Sequence, residues 1–342
     1  MKTAVLGSGG WGTALALLLL ENGHEVTLWS AFEAESEVLQ KTFENPYLKG
    51  VTLPETLICT ADLASALQDA KLVVLATPSF AVRETARAAK AYLSSGAVVL
   101  VVSKGIERDS LQNFSDVVRE ELGDCAHVAA LSGPSHAEEV AQGIPTACVA
   151  VSEDLATAQF VQDAFMSERF RVYTSTDVIG VELGAALKNV IALAAGASDG
   201  LGCGDNTIAA LMTRGLDEIA TLAVALGGKR ETLAGLAGVG DLIVTCTSRH
   251  SRNRRAGVLI GKGVPVQEAM EQCGGVVEGY YAAGAAKVLA ARAGVEMPIC
   301  GEIYRVLYEN KDPGQVLKDL MSRSKRAELH DPATADWVNC SL

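Results

Sequence analysis

The chain lacks an excess of positive charge. Its 342 residues include 29 lysines and arginines against 41 aspartates and glutamates, which gives a formal net charge of −12. A nucleic-acid-binding surface needs net or clustered positive charge, so we expect no nucleic-acid partner. A small anionic ligand is compatible with this composition, provided that a local basic cluster or backbone N–H groups hold it.

The chain also lacks the cysteine and histidine spacings of a metal or redox site. None of its eight cysteines belongs to a C-x-x-C motif, and no two of them lie within twenty residues of each other. Scattered cysteines in a chain of this length are typical of a reduced, cytoplasmic protein. No spacing of histidine, cysteine and carboxylate matches a metal site, so we expect no bound metal.

Long uninterrupted apolar runs are missing as well. Apolar residues make up 49% of the chain and charged residues 20%, which favours a folded protein with a buried core. The most apolar later stretches, 181–197 and 219–226, contain or adjoin Glu182, Lys188 and Glu218, and neither is a clean run of about 18 apolar residues. The first residues enter an apolar strand and a glycine turn, unlike a signal peptide. We therefore expect no membrane insertion.

The first half of the chain alternates short β-branched runs with helical segments. Continuous apolar runs such as 72–76 are typical of strands covered on both faces. The alternation predicts an α/β fold built on a Rossmann-type doubly wound parallel sheet. The predicted strands span 3–6, 25–29, 57–59, 72–76, 98–102, 128–131 and 148–151, and the predicted helices span 11–22, 33–44, 79–92, 110–121 and 135–141.

The second half has a different pattern. The strand signal stops near Thr174, and long Ala/Leu-rich helical segments broken by glycine clusters follow. At roughly 100–200 residues per domain, the length agrees with two domains. We predict a dinucleotide-binding Rossmann domain over 1–177 and a mostly helical substrate-binding domain over 178–342.

A G-x-G-x-x-G motif, formed by Gly7, Gly9 and Gly12, follows the first predicted strand and opens the first predicted helix. Glycines at this spacing allow a tight turn and let the backbone approach a pyrophosphate at the positive end of the helix. The motif therefore predicts dinucleotide binding. A tight turn without a ligand is the alternative.

The end of the second predicted strand bears on which dinucleotide binds. An acidic residue there normally binds the ribose 2′-hydroxyl, whereas an arginine accommodates a 2′-phosphate. No basic residue lies between His24 and Lys41, while Glu33 and Glu35 lie close to the strand end. The sequence therefore favours NADH over NADPH. The alternative is that these glutamates form only the solvated first turn of the next helix.

Three loops, 77–79, 103–105 and 132–135, follow later strands at the sheet edge where doubly wound folds bind ligands. Lys104 directly follows an apolar strand, so we expect its ammonium group to point into the crevice; an ordinary surface lysine is the alternative. Gly133 and Ser135 would offer close backbone approach and a hydroxyl, and the alternative for them is a helix N-cap.

In the second half, Lys188 shares one face of a predicted helix with small and apolar residues, among them Gly184, Ala185 and Ile191. Loss of hydration there favours the neutral amine, which suits proton transfer near neutral pH. The alternative is a lysine that is paired with a carboxylate or extends out of the core.

A glycine-rich loop, 238–242, contains Asp241 and precedes the densest positive cluster of the chain. Arginine forks bind phosphate bidentately, so the cluster predicts a phosphate site; a solvated basic helix start is the alternative. Asp241 could hold a substrate hydroxyl, orient Lys188, or be a turn residue. The cluster comprises Arg249, Arg252, Arg254 and Arg255.

Six short motifs carry a resemblance to one family. They are Gly7-x-Gly9-x-Trp11-Gly12, Ser103-Lys104-Gly105-Ile106-Glu107, Ser132-Gly133-Pro134-Ser135-x-Ala137, Leu187-Lys188-Asn189, Gly240-Asp241 and Ser251-Arg252-Asn253. In this order they resemble the bacterial NAD(P)-dependent sn-glycerol-3-phosphate dehydrogenases. The resemblance implies interconversion of dihydroxyacetone phosphate and sn-glycerol 3-phosphate with NAD or NADP as cofactor, supply of phospholipid synthesis, and a homodimer.

The resemblance also implies a role for each motif. Lys188 would be the proton donor and acceptor. The substrate would be surrounded by Lys104, Gly133, Ser135, Lys188, Asp241, Ser251, Arg252 and Asn253. Beside the glycines Gly7, Gly9 and Gly12, the dinucleotide would contact Gly10, Trp11, Lys104, Ala137, Arg252, Val276 and Glu278. The chain departs from the family at Ala31, where Arg or His is common, so the resemblance does not extend to the usual NADPH contact.

Three other interpretations stay open from the residues alone. A related β-hydroxyacid dehydrogenase would share the layout and a helix lysine, but would act on a carboxylate substrate and need not carry the run from Ser251 to Arg254. A redox-sensing dinucleotide-binding module would need neither Lys188 nor the arginines. The third is a helical dimerisation protein with a vestigial nucleotide fold.

Overall fold

The first half of the chain folds around one eight-stranded sheet. The computed structural model describes residues 1–325 and residue 328. The strands are β1 (Lys2–Leu6), β2 (Glu25–Trp29), β3 (Ile58–Thr60), β4 (Leu72–Leu75), β5 (Ala97–Val101), β6 (Ala126–Ser132), β7 (Thr146–Val151) and β8 (Phe170–Ser175). Their order in the sheet is β3-β2-β1-β4-β5-β6-β7-β8.

Helices pack on both faces of the sheet, which explains why its strands are apolar without alternation. Val5 belongs to the core on one face, and its neighbours Ala4 and Leu6 belong to the core on the other. This arrangement confirms the predicted doubly wound α/β fold. The helices of this half are α1 (Gly10–Glu21), α2 (Glu33–Thr42), α3 (Leu63–Leu67), α4 (Val82–Ala89), α5 (Phe114–Leu122), α6 (Ala137–Ala141) and α7 (Leu155–Phe165).

The sheet is not parallel throughout, because β6 and β7 pair antiparallel. Only the five-residue helix α6 lies between them, and a helix of that length spans about 7.5 Å. The seven residues of β6 extend roughly 23 Å. Helix α6 is therefore too short to carry the chain back to the edge of the sheet at which β6 begins. The chain therefore enters β7 from the same edge, and the sheet departs from the predicted parallel arrangement at this pair.

Three elements of this half were absent from the sequence prediction. Strand β8 lies at the edge of the sheet, where it alternates buried Phe170 and Val172 with exposed Arg171 and Tyr173. Helices α3 and α7 each begin after an aspartate whose side chain accepts a hydrogen bond from the first turn. Such N-cap aspartates are a sequence signal for a helix start, and they mark both missed helices.

The second half is helical over its described length. Strand β8 ends at Ser175 and the first long helix begins at Val178. The domain boundary between residues 177 and 178 stays a prediction. The predicted end of that domain, at 342, lies outside the described residues. The helices are α8 (Val178–Gly200), α9 (Asp205–Ala225), α10 (Arg230–Leu233), α11 (Asp241–Thr247), α12 (Arg252–Gly261), α13 (Val266–Gln272), α14 (Glu278–Ala293), α15 (Pro298–Glu309) and α16 (Pro313–Met321).

Helix α8 is the central element of the helical half. By length and composition it could cross a membrane, but 94% of its most apolar stretch is buried inside the protein. Helices α9, α11, α12, α14 and α15 all pack against it. A helix surrounded on all sides by others is apolar around its whole circumference, which accounts for its composition without a membrane.

Glycines let α8 and α12 cross with their backbones in contact. A methyl group on Gly196 would overlap the carbonyl oxygen of Arg254, and one on Gly257 would overlap that of Leu193. The close crossing fixes the start of α12 against the middle of α8. Side chains carried by these two segments are therefore held at a defined separation.

We expect Gly196→Ala to lower the free energy of unfolding by ~1–3 kcal/mol, because the added methyl group must push two helix backbones apart. Gly301→Ala is the matched control. Gly301 also lies inside a helix, but a methyl group there would have no atom of residues 1–325 or 328 within 4 Å. The control should be stabilised by up to ~1 kcal/mol through helix propensity. Urea denaturation followed by circular dichroism measures both values. Equal effects of the two substitutions would contradict this account of the crossing.

Candidate active site

The glycine-rich turn between β1 and α1 has the shape that a pyrophosphate requires. Gly7 has a φ of +125°, and a side chain there would lie 2.6 Å from the carbonyl group of Ala76. A side chain on Gly12 would overlap the carbonyl oxygen of Gly7, whereas one on Gly9 would meet no atom of the described residues within 4 Å. Two glycines thus pack the turn against the sheet and the third keeps its outer side open. The turn fits a dinucleotide.

Two further predicted cofactor residues lie at this turn. Gly10 opens α1 and Trp11 follows it. The position of a Gly10 side chain would be 3.7 Å from the Cβ of Ala137, the first residue of α6. The structure therefore brings Ala137 to the glycine turn, although 125 residues of chain separate it from Gly12 in sequence.

A buried carboxylate joins two lysines at the carboxyl edge of the sheet. Asp241 is 1% exposed and accepts hydrogen bonds from the Nζ of Lys188 at one oxygen and the Nζ of Lys104 at the other, the latter at 2.8 Å. Lys188 is itself 5% exposed and also donates to the Oγ1 of Thr245 at 2.7 Å. We call Lys104, Asp241 and Lys188 the ionic triad.

Lys104 connects the ionic triad to the loop after β6. Its Nζ lies 2.9 Å from the carbonyl oxygen of Gly133 and 3.3 Å from the Oγ of Ser135. The predicted orientation of Lys104 into the crevice is confirmed, and Asp241 is the first residue of α11 rather than a turn residue. Lys188 is paired with a carboxylate, as one of its two alternatives predicted. Its partner is Asp241, which also pairs with Lys104.

Burial and neighbouring charges shift the proton affinities of the ionic triad. Burial lowers the pKa of Lys188 to about 8, with the ammonium of Lys104 adding to the effect and the carboxylate of Asp241 opposing it. Burial alone would raise the pKa of Asp241, but the two ammonium groups outweigh it and hold that pKa below its usual value. Lys188 is thus a buried amine that can gain or lose a proton near neutral pH.

A hydrogen-bonded pair of asparagines lies next to the ionic triad, because Asn189 directly follows Lys188 on α8. The Nδ2 of Asn253 donates to the Oδ1 of Asn189 at 2.9 Å, and its Oδ1 accepts from the backbone N–H of Gly279 at 2.8 Å. Asn253 therefore joins α8, α12 and α14. The Oγ of Ser251 caps α12 by accepting from the N–H of Arg254, so the N-cap geometry is present there.

The four arginines of the basic cluster have different surroundings. Arg254 pairs with Asp199 at 2.6 Å, and Arg255 donates to the carbonyl oxygen of Cys273 at 3.1 Å. Arg249 and Arg252 form no ion pair with any residue in 1–325 or with residue 328. Of the two, Arg252 is in the first turn of α12, next to Asn253. It is the cation best placed for an anionic ligand near the ionic triad.

Arg252 also connects the site to the loop before α14. A side chain on Gly275 would meet the guanidinium of Arg252, which places that group beside Val276 and Glu278. Burial raises the pKa of Glu278, while a hydrogen bond from Ser79 and the charge of Arg252 oppose the shift. The predicted cofactor residues Val276 and Glu278 therefore lie near Arg252, with Ser79 from the loop after β4 against them.

The structure adds residues that the sequence patterns did not single out. Thr245 lies four residues after Asp241 on α11, a helical spacing from which its shared face could have been inferred. His136 lies beside Ser135, with its ring centroid 5.8 Å from that of His250, and burial lowers its pKa. No local pattern distinguishes these histidines. Within the described residues no group of histidine, cysteine and carboxylate side chains could hold a metal.

The chain matches two family models that together cover most of its length. Residues 2–158 match the NAD-dependent glycerol-3-phosphate dehydrogenase N-terminus, and residues 177–318 match the C-terminus of the same family. A glycerol-3-phosphate dehydrogenase [NAD(P)+] from Moorella thermoacetica is 54% identical over 98% of both chains. One of the same name from Agathobacter rectalis is 50% identical over 96% of this chain and 97% of that protein.

Solved structures agree with these sequence matches. The glycerol-3-phosphate dehydrogenase of Coxiella burnetii is 40% identical to this chain and superposes on it with a TM-score of 0.89. The match covers 94% of this chain and 98% of the Coxiella chain. A ketopantoate reductase from Ralstonia eutropha is 19% identical with a TM-score of 0.61, a likeness of fold alone. The chain belongs to the NAD-dependent glycerol-3-phosphate dehydrogenase family.

Proposed function

We propose that this chain interconverts dihydroxyacetone phosphate and sn-glycerol 3-phosphate, with Lys188 as the proton donor and acceptor. The observation that carries the proposal is the buried Lys188 amine, with a pKa of about 8, at a sheet edge that also holds a dinucleotide turn. Membership of the family makes the chain an NAD(P)-dependent oxidoreductase, and the ionic triad supplies the acid–base group that this reaction needs.

The residues of the ionic triad divide the chemistry among them. When bound, a nicotinamide cofactor would supply the hydride for reduction at C2 of the substrate. Lys188 donates its proton to the C2 oxygen in the reduction and accepts it in the oxidation. Lys104 adds positive charge near the oxygen on which negative charge develops, and Asp241 keeps both ammonium groups in place.

The substrate phosphate is proposed to bind at the start of α12. Arg252 supplies a guanidinium that forms no ion pair within residues 1–325 or with residue 328, and the first N–H groups of a ten-residue helix supply further donors. Ser251 and Asn253 hold this helix start in place through the cap and the link to Asn189. A phosphate fixed there would orient C2 relative to Lys188.

The proposal extends to the setting of the enzyme. We expect a cytoplasmic homodimer that supplies glycerophospholipid synthesis and acts on a small phosphorylated substrate, without nucleic acid or membrane partners. We also expect NADH to serve at least as well as NADPH. The support for the coenzyme preference is Ala31, which leaves the end of β2 without the basic side chain common in the family.

The deciding assay follows NADH oxidation in the presence of dihydroxyacetone phosphate. A β-hydroxyacid dehydrogenase would instead oxidise NADH with a 2-keto acid, and a binding module would turn over neither. Sustained turnover with dihydroxyacetone phosphate supports the proposal. Turnover with a 2-keto acid alone, or none at all, would refute it.

Lys188→Ala should reduce kcat by ~10²–10⁴-fold, the usual loss when general acid–base assistance is removed. Binding of NADH, measured by fluorescence titration, should change little because Lys188 lies at the substrate side of the site. Lys262→Ala is the matched control, since Lys262 is exposed at the end of α12. A Lys188→Ala enzyme that keeps half of the wild-type kcat would exclude the assigned role.

The two reaction directions should depend on pH with opposite signs. Reduction requires protonated Lys188, so its kcat/KM should fall as the pH rises through about 8, whereas oxidation requires the neutral amine and should gain rate over the same range. The Asp241 carboxylate raises the pKa of Lys188 against the effect of burial. Asp241→Asn removes that charge, so the midpoint of the pH profile of any remaining activity should move to lower pH. Initial rates in both directions from pH 6 to 10 provide the measurement; profiles with the same sign would contradict the prediction.

Arg252→Ala should lower kcat/KM for dihydroxyacetone phosphate by ~10–150-fold, equivalent to a charge-assisted contact of ~1.5–3 kcal/mol. Unphosphorylated dihydroxyacetone should be a poor substrate whose rate responds much less to the substitution. Arg255→Ala serves as the control, because Arg255 lies on the same helix but donates its hydrogen bond to the carbonyl oxygen of Cys273. Equal losses on the phosphorylated and unphosphorylated substrates would show that Arg252 does not bind the phosphate.

A further inference from the structure

Glu35 does not point into solvent as the first turn of a surface helix would suggest. It is the third residue of α2, and its side chain turns back toward the sheet. Its Oε2 accepts a hydrogen bond from the Oγ of Ser8 at 2.9 Å and another from the Oγ of Ser30. Ser8 lies inside the glycine-rich turn, and Ser30 directly follows β2. The carboxylate therefore bridges these two segments.

The two serines that hold Glu35 are themselves fixed. Ser8 is 4% exposed and Ser30 is 2% exposed. The backbone oxygen of Ser8 accepts from the Nδ2 of Asn45 at 2.8 Å, and the Oγ of Ser30 accepts from the N–H of Phe32 at 3.2 Å. Both serine hydroxyls donate to the same carboxylate oxygen. The other oxygen, Oε1, receives no hydrogen bond from residues 1–325 or 328, so it can accept one from a ligand.

This position has a known chemical meaning in a doubly wound fold. The coenzyme crosses the glycine turn with its adenosine ribose toward the end of β2, where a carboxylate accepts a hydrogen bond from the ribose 2′-hydroxyl. A 2′-phosphate at the same place would bring up to two further negative charges against the Glu35 carboxylate. Repulsion between charges in close contact disfavours that ligand.

Within residues 1–325 and 328, Glu35 forms no ion pair with a lysine or arginine, and its side chain accepts hydrogen bonds only from the two serine hydroxyls. Ala31 is exposed and carries no charge, and Glu33 is exposed and adds a second negative charge further out. Lys41, at the far end of α2, pairs with Glu37 at 2.7 Å. The surroundings of the bridging carboxylate therefore suit a ribose hydroxyl and oppose a ribose phosphate.

We infer that Glu35, held by Ser8 and Ser30, is the residue that makes this enzyme select NADH over NADPH by accepting a hydrogen bond from the ribose 2′-hydroxyl. The inference rests on the proposed dinucleotide-binding function. It assigns the selection to one glutamate of α2, with only a minor contribution from the charge of the more exposed Glu33.

The experiment measures dissociation constants for NADH and for NADPH by fluorescence titration, without substrate. Wild type should bind NADH more tightly. Glu35→Gln keeps the size of the side chain and removes its charge, so it should shift the ratio of the two constants about tenfold toward NADPH. Glu33→Gln removes an equal charge two residues away and is the matched control; it should change the ratio less than twofold. Glu35→Asp, which keeps the charge, should retain a preference for NADH.

The inference would be overturned if Glu35→Gln changes the ratio of the two dissociation constants by no more than three times the change caused by Glu33→Gln. Tighter binding of NADPH than of NADH by wild type would also overturn it. Melting temperatures of the variants guard against misfolding, and the Asp variant provides the test if the Gln variant does not fold. Because binding is measured without dihydroxyacetone phosphate, a failure of the proposed catalytic function would leave this result interpretable. If wild type binds neither NADH nor NADPH, the dinucleotide site itself would be refuted.

Discussion

The structure of the site depends on a single buried carboxylate that neutralises one of two ammonium groups, of which one is buried and the other half-buried. Asp241 accepts hydrogen bonds from Lys104 of the loop after β5 and from Lys188 of the central helix, 137 and 53 positions away along the chain. Breaking a buried ion pair by removing one partner is strongly destabilising, because the charge left behind has lost its hydration. The loop after β5, the start of α11 and the middle of α8 must therefore stay together, and the ionic triad retains one net positive charge for an anionic ligand.

The glycine crossing of α8 and α12 serves the same geometry. It sets the distance between the helix that carries Lys188 and the helix start that carries Arg252, without side chains that could adopt other rotamers. Asn253 adds a hydrogen bond from α12 to Asn189, the neighbour of Lys188. The proposed proton donor and the proposed phosphate-binding group, carried on two rigid helices, are more precisely placed than they would be on loops.

Local patterns predicted much of this protein, and their limits have physical reasons. Strand β2 and the glycine turn were predicted correctly because periodicity and glycine spacing report directly on local backbone conformation. The small-residue stripe around Lys188 likewise indicated burial. The partner of Lys104 could not be predicted, since it depends on how a helical unit packs against a sheet. The bridging position of Glu35 was missed for a similar reason: helical spacing places it on a surface turn, and only the fold brings Ser8 beside it.

The exposed segment after β2 has an evolutionary consequence. Ala31 and Phe32 bury little surface, and substitutions at such positions usually change stability by no more than about 0.5 kcal/mol. The triad and the glycine crossing, in contrast, lie in the core, where most replacements are costly. The charge of this exposed segment can therefore drift at little cost to folding, whereas the ionic triad cannot change as freely.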